Sequence, residues 1–103
     1  MRHPVHNLRR FEEAKALFRK MIPVARRLLG ESHHLTLEAS CGYAMALTKD
    51  PGATLDDLSE AVRTLEDTER TARRVLGGAH PLTKGIEKEL QDARDALHAR
   101  GLP

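Results

Sequence analysis

Histidine beside a hydroxyl is the first chemistry this chain offers. Ser32-His33-His34 sets a nucleophile type next to a base type, and His3-x-x-His6 with His33-His34 supplies imidazoles of the kind that ligate zinc. Cys41, the single cysteine, would attack only as a thiolate. The pairs Arg26-Arg27 and Arg73-Arg74 recur as a ladder of the side chain that grips phosphate or acidic partners. Each set has a plainer reading. Neighbouring residues in a turn rarely aim both groups at one point, and no acidic residue is placed to orient the base. The imidazoles lack a cysteine or clear carboxylate partner, so no metal or cofactor is expected. Nothing near Cys41 in sequence lowers its pKa, which makes it a small buried hydrophobe. The arginines end helices, where they complement the macrodipole, and Glu66, Asp67 and Glu69 stand beside the second pair. The chain is therefore not expected to be an enzyme.

The elements that would position these residues follow from an internal repeat. LLGESHHLT, residues 28–36, returns as VLGGAHPLT, residues 75–83. At that 47-residue shift Leu8 meets Leu55, Glu13-Ala14 meets Glu60-Ala61, and Ala25-Arg26-Arg27 meets Ala72-Arg73-Arg74. Identities spread along one offset mark a structural repeat of the kind that builds solenoids. The second copy puts Ala79 where the first has Ser32 and keeps the rest of the joint. That loss removes the nucleophile and leaves the histidine as a turn residue. Gly30, His33, Thr36, Gly77, His80, Pro81 and Thr83 are thus expected to be structural.

Composition agrees with helices. Hydrophobic residues are 40% of the 103, charged residues 31% and aromatic residues 3%, so the core is aliphatic and built on small side chains. The net charge of +2 comes from 17 basic and 15 acidic residues largely interspersed, which argues for neither nucleic acid nor membrane. The N-terminus lacks the apolar core of a signal peptide, and no apolar run approaches the roughly 18 residues of a membrane span. A cytoplasmic protein is the expectation.

Periodicity and punctuation give four helices. Leu8, Phe11, Ala14, Phe18, Ile22, Ala25 and Leu29 step by three or four, predicting a helix over 8–29 with Asn7 as N-cap. Pro23 is expected to kink that helix, with a break as the alternative. Gly30 and Gly77 suit a left-handed helix stop. A second helix runs over 35–48, where Cys41 to Leu47 is apolar nearly all round and must lie between neighbours. The turn Lys49 to Ala53 precedes a third helix over 55–76, capped by Thr54, and Pro81 opens a fourth over 81–99. The expected domain is the whole chain, 1–103, with repeat units over about 7–48 and 54–99.

Phe11-Glu12-Glu13-Ala14, Leu29-Gly30, His33-His34-Leu35-Thr36 and the later Leu76-Gly77, His80-Pro81-Leu82-Thr83 resemble the tetratricopeptide repeats of kinesin light chains. The resemblance covers residues 8–98. It implies an all-α, short right-handed solenoid of antiparallel helix-turn-helix repeats. The helix after each histidine is then an A helix lining a concave groove, and the longer one a convex B helix, in the order B-A-B-A. It also implies a protein–protein interaction scaffold. The protein or peptide ligand would meet outward A-helix positions Glu38, Cys41, Met45 and Thr48, then Lys88, Asp92 and Asp95. The chain departs from the family in two ways. Its 47-residue unit exceeds the roughly 34 of an ordinary tetratricopeptide repeat and approaches HEAT-like spacing. It also carries Cys41-Gly42 and Lys88-Glu89 where the family has an asparagine pair. Leu17, Met21, Val24 and Leu28 form a second apolar stripe without a partner in the chain, so self-association or an upstream repeat is expected there. A phosphate- or nucleic-acid-binding helical repeat using the arginine pairs is the alternative, testable by its salt dependence.

Overall fold

The structure, a computed structural model, describes residues 4–101, with side chains over 9–101. It holds four helices: α1 (Pro4–Leu29), α2 (His34–Lys49), α3 (Leu55–Leu76) and α4 (Pro81–Ala99), with no strand among the described residues. Consecutive helices pack on one another, and α2 also packs on α4. Connections of four or five residues force each helix to run back along the one before it. The architecture is an all-α helical repeat.

Local signals explain the helix ends. Thr54 caps α3 through a capping box: its hydroxyl accepts from the Asp57 N–H at 3.0 Å, while the Asp57 carboxylate accepts from the Thr54 N–H at 3.1 Å. Asp56 and Asp57 occupy the positive end of the α3 dipole and Arg73 and Arg74 its negative end. One expectation needs correction. Helix α1 starts at Pro4, so Asn7 lies within it and does not cap it; proline suits the first helical position because its missing N–H has no helical partner there. The helix passes through Pro23 unbroken, which excludes the alternative of a break there.

The core is made by close approach. Ala44, Ala61, Ala72 and Ala93 are fully buried, one or two to each of α2, α3 and α4, and Leu47, Leu65 and Ile86 fill the space between them. Helix α2 sits in the middle, with Ala39, Cys41, Tyr43, Ala44, Ala46 and Leu47 all buried. Gly42 lets α1 in: a Cβ there would stand 2.6 Å from Cζ of Phe18. No helix among the described residues is long and apolar enough to cross a membrane.

Candidate functional site

The two joints have one geometry. Gly30 N–H donates to the Arg26 carbonyl and Gly77 N–H to the Arg73 carbonyl, both at 3.0 Å. The next contacts also match: His33 N–H reaches the Gly30 carbonyl and His80 N–H the Gly77 carbonyl, both at 3.3 Å. Each histidine then caps the following helix. Nδ1 of His33 accepts from the Leu35 N–H at 3.1 Å, and Nδ1 of His80 from the Leu82 N–H at 3.0 Å. These imidazoles do the work usually given to Ser, Thr, Asp or Asn. Both glycines have positive φ, 94° and 89°. At Gly77 ψ is 157°, so the stop is not the expected left-handed helical turn but an extended conformation still more restricted to glycine.

The joints also touch each other. The His34 and His80 rings meet edge to face with centroids 6.2 Å apart, which joins the first turns of α2 and α4. Ser32 is exposed in the first joint. Thr36 and Thr83 are buried, and neither hydroxyl has a hydrogen-bond partner among the described residues. The His3-x-x-His6 pattern lies outside the residues whose side chains are described. No group of three or more His, Cys, Asp or Glu able to hold a metal occurs among those that are.

The outward row of α2 and α4 is only partly as expected. Glu38, Met45, Lys88 and Asp95 are exposed, and Thr48 and Asp92 are half-buried. Thr48 turns its hydroxyl back to the Ala44 carbonyl at 2.9 Å. Cys41 is 8% exposed and belongs to the core, which corrects its expected outward position. Burial, with smaller contributions from the charges of Glu89 and Glu38, pushes its thiol up to about 11, so it is not a nucleophile at neutral pH. Lys49 crosses from α2 toward α4, with Glu89 at 3.8 Å and Asp92 at 3.5 Å, and Lys88 approaches the same Asp92 at 3.4 Å.

One arginine of each pair is engaged by carboxylates. Arg26 faces Glu31 at 3.4 Å, and Arg73 bonds both Glu69 and Glu87. Two polar contacts that the spacing did not reveal bind α1 to the rest. Lys15 pairs with Asp50 in the interior. Arg19 donates to the Tyr43 hydroxyl at 3.3 Å, and that hydroxyl donates to Glu60 at 2.6 Å, linking α1, α2 and α3.

The stripe on α1 is open to solvent. Leu17, Met21, Val24 and Leu28 are all exposed, Leu28 at 72%. Beside it, Phe18, Met21, Ala25 and Leu29 of α1 and Leu35, Glu38 and Ala39 of α2 line a groove of about 410 Å3.

Among known families, the model described as "Tetratricopeptide repeat" matches residues 6–35, from the first turns of α1 through the first joint into α2. No curated protein and no solved structure matches the chain. The matched stretch and the fold together support a tetratricopeptide repeat, the kind of unit that generally serves protein–protein interaction.

Proposed function

We propose that the chain is a non-catalytic protein-interaction scaffold of the kinesin-light-chain type, presenting the side-by-side helices α2 and α4 to a protein or peptide ligand. The repeated L-G-x-x-H joint and the Phe11-Glu12-Glu13-Ala14 pattern support that type. The ligand-facing row is Glu38, Met45 and Thr48 from α2 with Lys88, Asp92 and Asp95 from α4.

The observation that carries this reading is the mixed strip between the two helices. Met45, 37% exposed, lies one helical turn before Lys49, which reaches Asp92 of α4, the residue that Lys88 also approaches. Exposed ion pairs contribute on the order of 0–1 kcal/mol each, so a ligand exchanges them for its own charges at little loss. A ligand with an apolar side chain flanked by both signs of charge fits the strip. The test is the double reversal Lys88→Glu with Asp92→Lys. A partner recovered by cross-linking to the unaltered chain should bind the reversed chain at least about tenfold more weakly, a loss of about 1.4 kcal/mol. Unchanged binding would remove the strip as the site.

A further inference from the structure

We propose that the groove between α1 and α2 is a second docking site, which meets the α2–α4 strip at Glu38. Its occupant is a single helix of a partner protein with an apolar row of small side chains and an acidic flank. The repeat supplies the argument. Shifted by 47 residues, the groove residues Phe18, Met21, Ala25, Leu29, Leu35 and Ala39 become Leu65, Thr68, Ala72, Leu76, Leu82 and Ile86. In the second unit those positions are core: Leu65, Ala72 and Ile86 are fully buried and Thr68 is 6% exposed. What closes that core is α2, which packs on both α3 and α4. In the first unit nothing described occupies the equivalent place, and Met21 and Leu35 stand 44% and 55% exposed. The fold thus carries its own template for the missing occupant.

Charge narrows the occupant's chemistry. Arg10, Lys20 and Arg27 are exposed at helical spacings along the outer, α1 flank of the stripe, with Glu13 among them, while Glu38 stands on the opposite, α2 wall of the groove. In α3 the matching positions are Asp57, Asp67 and Arg74, so α1 has reversed two charges relative to its own repeat. Ser40 of α2 lines a surface pocket together with Asp67. By the 47-residue shift, an occupant residue at the Ser40 position falls on the Lys20 side of the groove, where an acid is favoured.

A second copy of this chain is the weaker fit. To continue the stack it would offer α4, whose Lys84, Lys88, Gln91, Arg94 and Asp95 are exposed and polar. The first four of those positions match Leu37, Cys41, Ala44 and Leu47 of α2, the face that α2 turns inward. A two-fold contact through α1 would instead bring two basic rows together across a short distance, where salt screens poorly.

The experiment uses helix-stapled, fluorescein-labelled peptides carrying residues 34–49 with Cys41→Ser and either Ser40→Glu or Ser40→Lys. A peptide of residues 81–99 is the control. Anisotropy against the whole chain should show saturable binding of the Glu peptide, at least tenfold tighter than the Lys peptide, and none for the control. Met21→Glu, at an exposed position, should leave the thermal melt unchanged and weaken binding at least tenfold. Lack of saturable binding, or equal binding to the Met21→Glu chain, would overturn the proposal. A dimer in sedimentation that Met21→Glu dissolves would overturn it too, in favour of a second copy. None of these readouts depends on the Lys88 and Asp92 strip.

Discussion

Nζ of Lys15 lies 2.9 Å from Oδ2 of Asp50, both side chains only 5% exposed, and the pair fastens the middle of α1 to the turn after α2. Asp50 holds that turn as well, since its Oδ1 accepts from the Gly52 N–H at 2.8 Å and its carbonyl from the Ala53 N–H at 3.0 Å. In the second unit the same two positions are Val62 and Leu97, so the ion pair has no charged counterpart there. Removing Lys15 alone strands a buried carboxylate. Lys15→Met should cost about 3–5 kcal/mol in urea unfolding, and Lys15→Met with Asp50→Asn should recover much of it while keeping the acceptor for Gly52.

The same pair sets a pH dependence with two limbs. Burial opposes ionisation of Asp50, but the hydrogen bond from Lys15, the Gly52 N–H and the ammonium charge outweigh it and hold the carboxyl below its usual range. Its contribution is full above the unfolded value of about 3.9 and is lost as pH falls through the lower folded value. Burial likewise opposes the charge on Lys15, and Asp50, then Glu12, more than restore it, so that pKa is raised. That contribution is full below about 10.4 and is lost as pH rises through the raised folded value. Stability attributable to the pair should be level between these limbs. Unfolding free energies across pH 2–6 should show a shallower acid limb in the double variant, and an unchanged limb would assign the acid sensitivity elsewhere.

The joints make separable predictions. A Cβ at Gly77 meets nothing within 4 Å, so Gly77→Ala carries only the backbone penalty of its positive φ, on the order of 1–3 kcal/mol. His80→Ala removes the cap on α4 and should cost about 1 kcal/mol, with His80→Asn restoring most of it because Asn is a strong N-cap. Failure of Asn to restore stability would mean that the ring contact with His34, rather than the cap, is what His80 contributes.

What could be read along the chain was what neighbouring residues decide among themselves. The limits of α3 and the start of α4 follow from Thr54 three residues before Asp57, Gly77, and Pro81 at its first turn. The exposed stripe of Leu17, Met21, Val24 and Leu28 was also legible, because helical period alone sets which side chains share a face. The α1 start was not, since Pro4 and Asn7 are both acceptable near a helix start and only the packed chain chooses. Cys41 has an outward helical phase, yet α2 packs on α1, α3 and α4 together, and Cys41 is 8% exposed. Lys15 and Asp50 are 35 positions apart, and a lysine on a helix otherwise reads as solvated, so only tertiary packing reveals the pair.

Phe18 and Gly42 should behave as one unit. Gly42→Ala gains up to about 1 kcal/mol of helix propensity, but its methyl would stand 2.6 Å from Phe18 Cζ. Overpacking of this kind typically costs about 1–3 kcal/mol, so the single change should destabilise. Phe18→Leu removes the tip of the ring. In that background Gly42→Ala should become stabilising, and a double-mutant cycle should give a coupling of about 1 kcal/mol or more. Additive effects would show that the ring swings aside freely.

Thr83 gives the reverse case, a polar group whose removal should help. It is fully buried at the start of α4, and its hydroxyl has no hydrogen-bond partner among the described residues. A buried, unsatisfied hydroxyl forfeits its bonds to water without replacement, a loss of about 1–3 kcal/mol. Valine keeps the branched shape that packs at this position and removes the oxygen. Thr83→Val should therefore stabilise the chain by about 1 kcal/mol in urea unfolding, with the slope of the transition unchanged. Thr36→Val, at the matching position, should act in the same direction. Stabilisation at both sites would make the threonine of the joint a packing residue; a loss at either would mean that its hydroxyl finds an acceptor in solution.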